Sequence, residues 1–188
     1  LLGAGGAFLC AGVESMTRVP MGGANYSPNP TLMQEMPEVY MSMGQTAEEV
    51  ARRYEVSRAD QEAMAVESHA KAASAREAGL FVDEIVPIST PNGLVSEDGC
   101  IRPGTSLEGL SGLKPAFDGT VTAGTASPLT DGSAAVLVCT EAFARTHQLE
   151  ILARIKAVAV AGCPPEIMGM GPVYATRKVL QRAELSID

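Results

Sequence analysis

Apolar positions in this chain fall into short continuous runs, set apart by long stretches broken by glycine and proline. Residues 7–11 follow the glycine-rich Gly3-Ala4-Gly5-Gly6 without a polar interruption, which predicts a buried strand entering a sheet. Between residues 20 and 37 four prolines with repeated glycines and asparagines erase any period, which predicts an extended connection. At Thr46-Ala47-Glu48-Glu49 the Ser/Thr-x-x-Glu spacing of a capping box appears, and Ala47, Val50, Ala51 and Tyr54 then recur at helical spacing. A helix is predicted to begin there. Ser57-Arg58-Ala59-Asp60 predicts a second start, with Asp60 complementing the helix dipole, and Gly79 predicts the end. The alanines between them favour helix and allow close packing.

Further along, residues 84–88 predict a short strand, placed at a sheet edge or strand end by Pro87. The next forty residues are mostly irregular, and a loop of that length in a compact domain usually has a task. Residues 134–139 and 155–161 predict buried strands, with a helix over 141–146 between them. Gly171-Pro172 opens a last helix in which Val173, Val179, Leu180 and Ala183 share a face. This order predicts an α/β sheet interrupted by an inserted subdomain.

Composition narrows the picture. Of the residues 46% are hydrophobic, yet there is no Trp and only 4% are aromatic, so the core rests on Ala, Val, Leu, Ile and Met, a composition suited to closely packed α/β layers. A formal charge of −8 argues against general nucleic-acid binding, which needs a basic face. Cys10, Cys100, Cys139 and Cys163 form no C-x-x-C pair and read as reduced thiols; three lie in apolar surroundings typical of inert core cysteines. His69 and His147 stand alone, so no metal site is expected, and no apolar run reaches membrane-spanning length. The non-Met start and the stop at Asp188 both read as cut ends.

Several local patterns carry little. Gly3-Ala4-Gly5-Gly6 precedes a strand, whereas a nucleotide loop follows one. Ser68-His69 reads as the polar surface of a helix rather than part of a triad. The segment from Gly119 to Gly132 has two readings on its chemistry alone. Its small residues, hydroxyls and free amides suit close approach to a ligand; equally, it suits a tight strand-loop-strand connection turning at Asp131-Gly132.

Taken together in chain order, several segments resemble the thiolase family, of the 3-ketoacyl-CoA type. Ala11-Gly12-Val13-Glu14-Ser15-Met16-Thr17-Arg18 is similar to the family's A-G-G-V-E-S-M-S segment, with Ala11 where a glycine is usual. Met43-Gly44-Gln45-Thr46-Ala47-Glu48 resembles its M-G-x-T-A-E helix start, and Ser57-Arg58 and Ser68-His69-Ala70-Lys71-Ala72 follow in register. Further matches are Glu84-Ile85-Val86-Pro87, Leu113-Lys114-Pro115-Ala116-Phe117, Gly119-Thr120-Val121-Thr122-Ala123-Gly124, Asp131-Gly132, Ala153-Arg154-Ile155 and Met168-Gly169-Met170-Gly171-Pro172-Val173.

The resemblance implies an α/β, thiolase-like layered αβαβα fold, with this chain an internal fragment. Residues 1–17 and 130–152 would belong to the N-terminal half, 18–129 to the loop subdomain that grips CoA over the active site, and 153–188 to the start of the C-terminal half. It also implies an acyltransferase that cleaves 3-ketoacyl-CoA thiolytically, with two cysteines and a histidine doing the chemistry. Those family motifs lie upstream of the part matched by Ala11 and beyond the part matched by Asp188. No catalytic residue is therefore assigned, and the fragment alone is expected to be inactive. By matching positions, Ser127 would bond the pantetheine chain, Arg102 would lie near the nucleotide end of CoA, and Met43, Phe117, Ala123 and Leu129 would line the pantetheine and acyl channel. Thr125 and Thr130 stand where the family often has asparagine. Ser42 stands where biosynthetic acetoacetyl-CoA thiolases often have histidine, which favours a role in fatty-acid β-oxidation. The biosynthetic reaction and a non-catalytic thiolase-like lipid-binding protein are the alternatives. CoA enters as substrate, with no cofactor expected. A homodimer or homotetramer, a β-oxidation multienzyme partner and a bacterial cytoplasmic location are the family's implications, with an organelle left open by the missing start.

Overall fold

The computed structural model describes residues 5–187, so Gly3 and Ala4 of the glycine-rich start and the final Asp188 lie outside the described residues. Its contacts divide into two compact units, each described by itself.

The first unit comprises the chain up to Met36, Leu129–Cys163, and the chain from Met170 onward. Its centre is an antiparallel pair, β1 (Ala7–Ser15) and β4 (Asp131–Cys139), in register from Ala7 opposite Cys139 to Ser15 opposite Asp131. Leu9, Ala11 and Val13 share one face with Leu137, Ala135 and Ser133; Phe8, Cys10 and Gly12 share the other with Val138, Val136 and Ala134. Both faces are thus apolar, the pattern of a strand covered on two sides. Here they are open: Leu9 is 74% and Val13 82% exposed. The strands form where predicted, but the predicted burial does not, because two strands alone have too little packed against them. Cys10 is accordingly exposed rather than a core thiol, and Cys139 and Cys163 are half-buried. Asp131 and Gly132, one reading of which was a turn, instead begin β4.

Asp131 also closes the open end of this pair. Its Oδ1 accepts the Thr17 backbone N–H at 2.9 Å, and that bond holds its carboxyl below the usual aspartate value. A depressed folded pKa contributes stability that is complete above the unfolded value of about 3.9 and is lost as pH falls through the folded value. Acid titration of the β1–β4 amides by hydrogen exchange should therefore show the Thr17 end opening first below about pH 4, and Asp131→Asn should flatten that acid limb.

Among the described residues the same unit holds three helices. α1 (Pro30–Glu35) interrupts the stretch expected to be wholly extended: Asn29 caps it, accepting from Thr31 N at 2.9 Å and Leu32 N at 3.3 Å, and Pro30 fits its first turn. α5 (Glu141–Thr146) forms as predicted, capped by Thr140, with Glu141 bonded to Arg145 and Arg154. Those two guanidinium groups, Arg145 first, hold the Glu141 carboxyl below its usual range. α6 (Gly171–Ala183) opens at Gly171-Pro172, and Val173, Val179, Leu180 and Ala183 are half-buried on it, as are Tyr174 and Ala175. Residues 155–161, predicted as a strand, carry no ladder and no regular secondary structure. The reason is the missing neighbour: among the described residues no strand lies beside them, and α6 side chains take their carbonyls instead. Lys178 Nζ donates to Val160 O at 3.1 Å and Arg182 Nη1 to Val158 O at 2.7 Å.

The second unit comprises Pro37–Pro128 and Pro164–Gly169. α2 (Met43–Arg53) starts one turn earlier than predicted, because Ser42 and Gln45 already form a capping box and satisfy the first amides. Thr46 sits inside the helix, 4% exposed, with its hydroxyl donating to Met43 O at 2.9 Å. α3 (Arg58–Glu77) is capped by Ser57 and Asp60 as predicted, and Gly79 follows at φ +72. The strand expected over 84–88 is displaced to a short hairpin, β2 (Ile88–Thr90) with β3 (Gly93–Val95), since Pro87 has no N–H to give a ladder. α4 (Leu107–Ser111) lies in the irregular stretch, and Leu110 on it joins Thr46, Glu62, Ala73, Val121, Thr122 and Ile167 among the buried residues of this unit.

Candidate functional site

Within the second unit, residues 113–127 form an irregular segment fastened to α2 and α3. Ala116 N donates to Val121 O at 2.8 Å and Pro115 bridges Thr122, so residues 116–121 make a closed excursion with Phe117 near its tip. Two carboxylate oxygens of Glu48 on α2 accept the backbone N–H groups of Thr120 and Val121, each at 2.8 Å. From α3, Gln61 Nε2 donates to Thr120 Oγ1 at 2.8 Å. Arg58 spans the gap to α4: its Nε meets the nearly buried Glu62 at 2.7 Å, and its Nη2 donates to the carbonyls of Leu110, Ser111 and Leu113.

Two glycines make this fit possible. A Cβ on Gly44 would lie 1.9 Å from Phe117 Cζ, so the Phe117 ring rests where any other residue would put its side chain. A Cβ on Gly119 would lie 2.1 Å from Glu48 Oε2. Past Val121, Thr122 is fully buried and a turn follows: Thr125 N donates to Thr122 O at 3.1 Å, and Thr122 N donates to Thr125 Oγ1 at 3.0 Å. Thr125, which stands where the family often has asparagine, thus uses its hydroxyl to close a turn with Ala123 exposed on it.

The six candidate residues are distributed as follows. Met43 opens α2 and is half-exposed, next to the Gly44 that carries the Phe117 ring. Ala123 and Ser127 follow on the same segment, both exposed. Arg102 comes from a different stretch: its backbone N–H donates to His69 Nδ1 on α3 at 3.2 Å, and its carbonyl accepts from Thr105. Its guanidinium is exposed and, among the described residues, makes no hydrogen bond or ion pair, so it is free for an anion. Leu129 belongs to the first unit and is 69% exposed. Phe117, Ala123 and Met43 are therefore brought onto one framework, Arg102 is held by another part of the same unit, and Leu129 is not placed with them.

An open groove of ≈ 770 Å³ runs between α2 and residues 116–120. Its charges are the carboxylates of Glu48, Glu49 and Asp118 against Arg52, which Glu49 already pairs at 2.6 Å. Arg52 and Arg53 hold the Glu49 carboxyl below its usual range. Such a lining repels a polyanion, so the groove is a poor seat for a nucleotide phosphate. Among the described residues no His, Cys, Asp and Glu cluster could hold a metal.

Sequence reasoning passed over Glu48, Gln61 and His69. His69, expected on the helix surface, has its Nδ1 as the acceptor for Arg102 N–H across 33 positions. No local pattern announces a bond of that span.

Comparison with known proteins now bears on this geometry. Residues 1–142 match the thiolase N-terminal domain and residues 149–188 the thiolase C-terminal domain. The whole chain is 45% identical over 203 residues to the 3-ketoacyl-CoA thiolase of Bacillus subtilis, of which it covers 52%. The dimeric peroxisomal thiolase of Saccharomyces cerevisiae superposes with a TM-score of 0.87 at 40% identity, over 96% of this chain and 48% of that one. Human mitochondrial 3-ketoacyl-CoA thiolase in complex with CoA gives 0.80 at 36% identity, over 96% and 49%. The chain spans about half the length of the curated relatives it matches. With both domain matches in sequence order, and α/β elements that superpose on solved thiolases over nearly its whole length, the chain belongs to the thiolase family.

Proposed function

We propose that the whole protein is a 3-ketoacyl-CoA thiolase, an acetyl-CoA C-acyltransferase that transfers the shortened acyl group of a 3-ketoacyl-CoA to the thiol of CoA and releases acetyl-CoA. The observation that carries this is the 45% identity with a 3-ketoacyl-CoA thiolase along the entire chain. The bond between the α and β carbons breaks; a thioester forms at the former keto carbon, and the acetyl carbon takes up a proton. The family's nucleophilic cysteine, histidine and second cysteine do that chemistry in segments that flank the matched ones. Within this chain the task is binding: residues 18–129 act as the loop subdomain, inserted in the N-terminal half between 1–17 and 130–152, and 153–188 begin the C-terminal half. CoA is substrate, with no cofactor. The role is in fatty-acid β-oxidation, in a bacterial cytoplasm, as a homodimer or homotetramer that can dock into a β-oxidation multienzyme assembly. Among the described residues no helix is long and apolar enough to cross a membrane. Acetyl-CoA release from 3-ketoacyl-CoA substrates of increasing chain length by the purified full-length protein tests the reading; no turnover with any of them overturns it.

In that reading the exposed Arg102 guanidinium meets the nucleotide end of CoA and Ser127 the pantetheine chain. Arg102→Ala should raise KM for CoA, more so at low ionic strength where a phosphate contact is least screened. Ser127→Ala removes a neutral hydrogen bond of about 0.5–1.5 kcal/mol and should raise KM several-fold with little salt dependence. Steady-state kinetics at two salt concentrations separate the two; unchanged KM in both variants would move the CoA site elsewhere.

A further inference from the structure

We propose that Glu48 is a positioning residue for the acyl-CoA site, a clamp whose two carboxylate oxygens set the segment that carries Phe117, Ala123 and Ser127. The inference rests on the reading of those residues as CoA-binding and adds one that touches no substrate. Its basis is geometry. Glu48 Oε2 accepts from Thr120 N and Glu48 Oε1 from Val121 N, each at 2.8 Å, with Thr120 Oγ1 a third partner at 3.3 Å. A carboxylate gripping two successive amides fixes both position and orientation of that backbone, which one bond would leave free to swivel. Val121 is buried, so its amide finds no water in place of the carboxylate.

The consequences run both ways along the chain. Upstream, Ala116 N is tied to Val121 O, so the clamp reaches the turn that lays Phe117 on Gly44. Downstream, Thr122 enters the turn that exposes Ala123, and Ser127 follows. Gly119 is part of the device, because a Cβ there would lie 2.1 Å from Glu48 Oε2 and expel it. Arg58 anchors the other end of the segment at Leu113 O, at 2.7 Å. A segment held at 113 and at 120–121 presents its ligand-facing residues in one arrangement, which lowers the ordering cost of binding.

The test uses the full-length enzyme with acetoacetyl-CoA, a long-chain 3-ketoacyl-CoA and CoA as probes. Glu48→Ala should raise KM for CoA substrates by about tenfold, as expected for the loss of two amide acceptors, and change the long-to-short chain ratio, while kcat per folded site stays within about threefold. Gly119→Ala should reproduce that pattern with the carboxylate still present. Glu48→Gln, which retains one acceptor oxygen, should fall between wild type and Glu48→Ala. Amide hydrogen exchange at Thr120 and Val121 should speed up in all three. Ile167→Ala, which removes buried volume elsewhere in the same unit, serves as the destabilised comparison: it should lower Tm and leave KM and chain ratio alone. If the Glu48 and Gly119 variants match Ile167→Ala, with lower Tm but wild-type KM and ratio, the clamp is structural only and the proposal falls. If wild type itself neither turns over nor binds these probes, the thiolase reading falls instead, a different result from the same plates.

Discussion

Arg58→Ala is expected to be the most damaging single change in the second unit. The guanidinium has two tasks: it neutralises Glu62, whose residue is 7% exposed, and it donates to three carbonyls at the end of α4. Removing it leaves a buried carboxylate without its cation and three acceptors without their donor. With side-chain exposures of 26% for Arg58 and 9% for Glu62 the pair lies between the exposed and the buried case, so the loss should exceed the roughly 1 kcal/mol of an exposed pair and fall short of the about 3–5 kcal/mol of a fully buried one. Arg58→Lys should recover only part, because an ammonium cannot meet Glu62 and the carbonyls with one planar fork. The decisive measurement is a double-mutant cycle by thermal or denaturant unfolding. Arg58→Ala with Glu62→Met should be more stable than Arg58→Ala alone, since the second change removes the stranded charge. Strictly additive losses would mean that Arg58 acts on the carbonyls only.

The second large effect is expected at Gly44. Placing a methyl 1.9 Å from the Phe117 ring forces that ring off the helix, and overpacking of this kind costs about 1–3 kcal/mol. The double variant Gly44→Ala with Phe117→Ala should regain stability over Gly44→Ala, because the clash vanishes with the ring. In the full-length enzyme both Gly44→Ala and Phe117→Ala, and Met43→Ala beside them, should change the ratio of kcat/KM between long and short 3-ketoacyl-CoA; a channel methylene is worth about 1–3 kcal/mol in such comparisons. Wild-type ratios in all three variants would take Met43 and Phe117 out of the channel, whatever the melts show.

What the sequence made legible follows a physical line between local and distant interactions. The Ser57–Asp60 cap, the Gly79 end and the 141–146 helix were readable because every partner lies within one turn. α2 was found but started late, since two capping patterns a turn apart compete and burial of Thr46 decides between them. Residues 155–161 read as strand because β propensity is a property of side chains, whereas a ladder needs a neighbour. The short hairpin at Ile88 and Gly93 was shifted by Pro87, and α1 was hidden by the prolines around it. At the candidate site the glycines, hydroxyls and Phe117 stood out by resemblance, while Glu48 and His69 reach 72 and 33 positions along the chain and leave no local trace.

The pairing of β1 with β4 has a consequence for how the protein is made. β1 is synthesised well before its partner, which begins only at Asp131, the residue that also holds Thr17 from 114 positions away. At roughly 5–20 residues per second, synthesis keeps β1 without its partner for on the order of ten seconds. Through that interval β1, an apolar strand, lacks the ladder that β4 gives it, and an unpaired strand edge is the condition for mispairing with a neighbouring nascent chain. Pro37–Pro128, whose capped helices rest on near-neighbour bonds, is synthesised entirely within the same interval. A holdase that covers β1 until β4 is made should therefore raise soluble yield more than a change that strengthens the second unit.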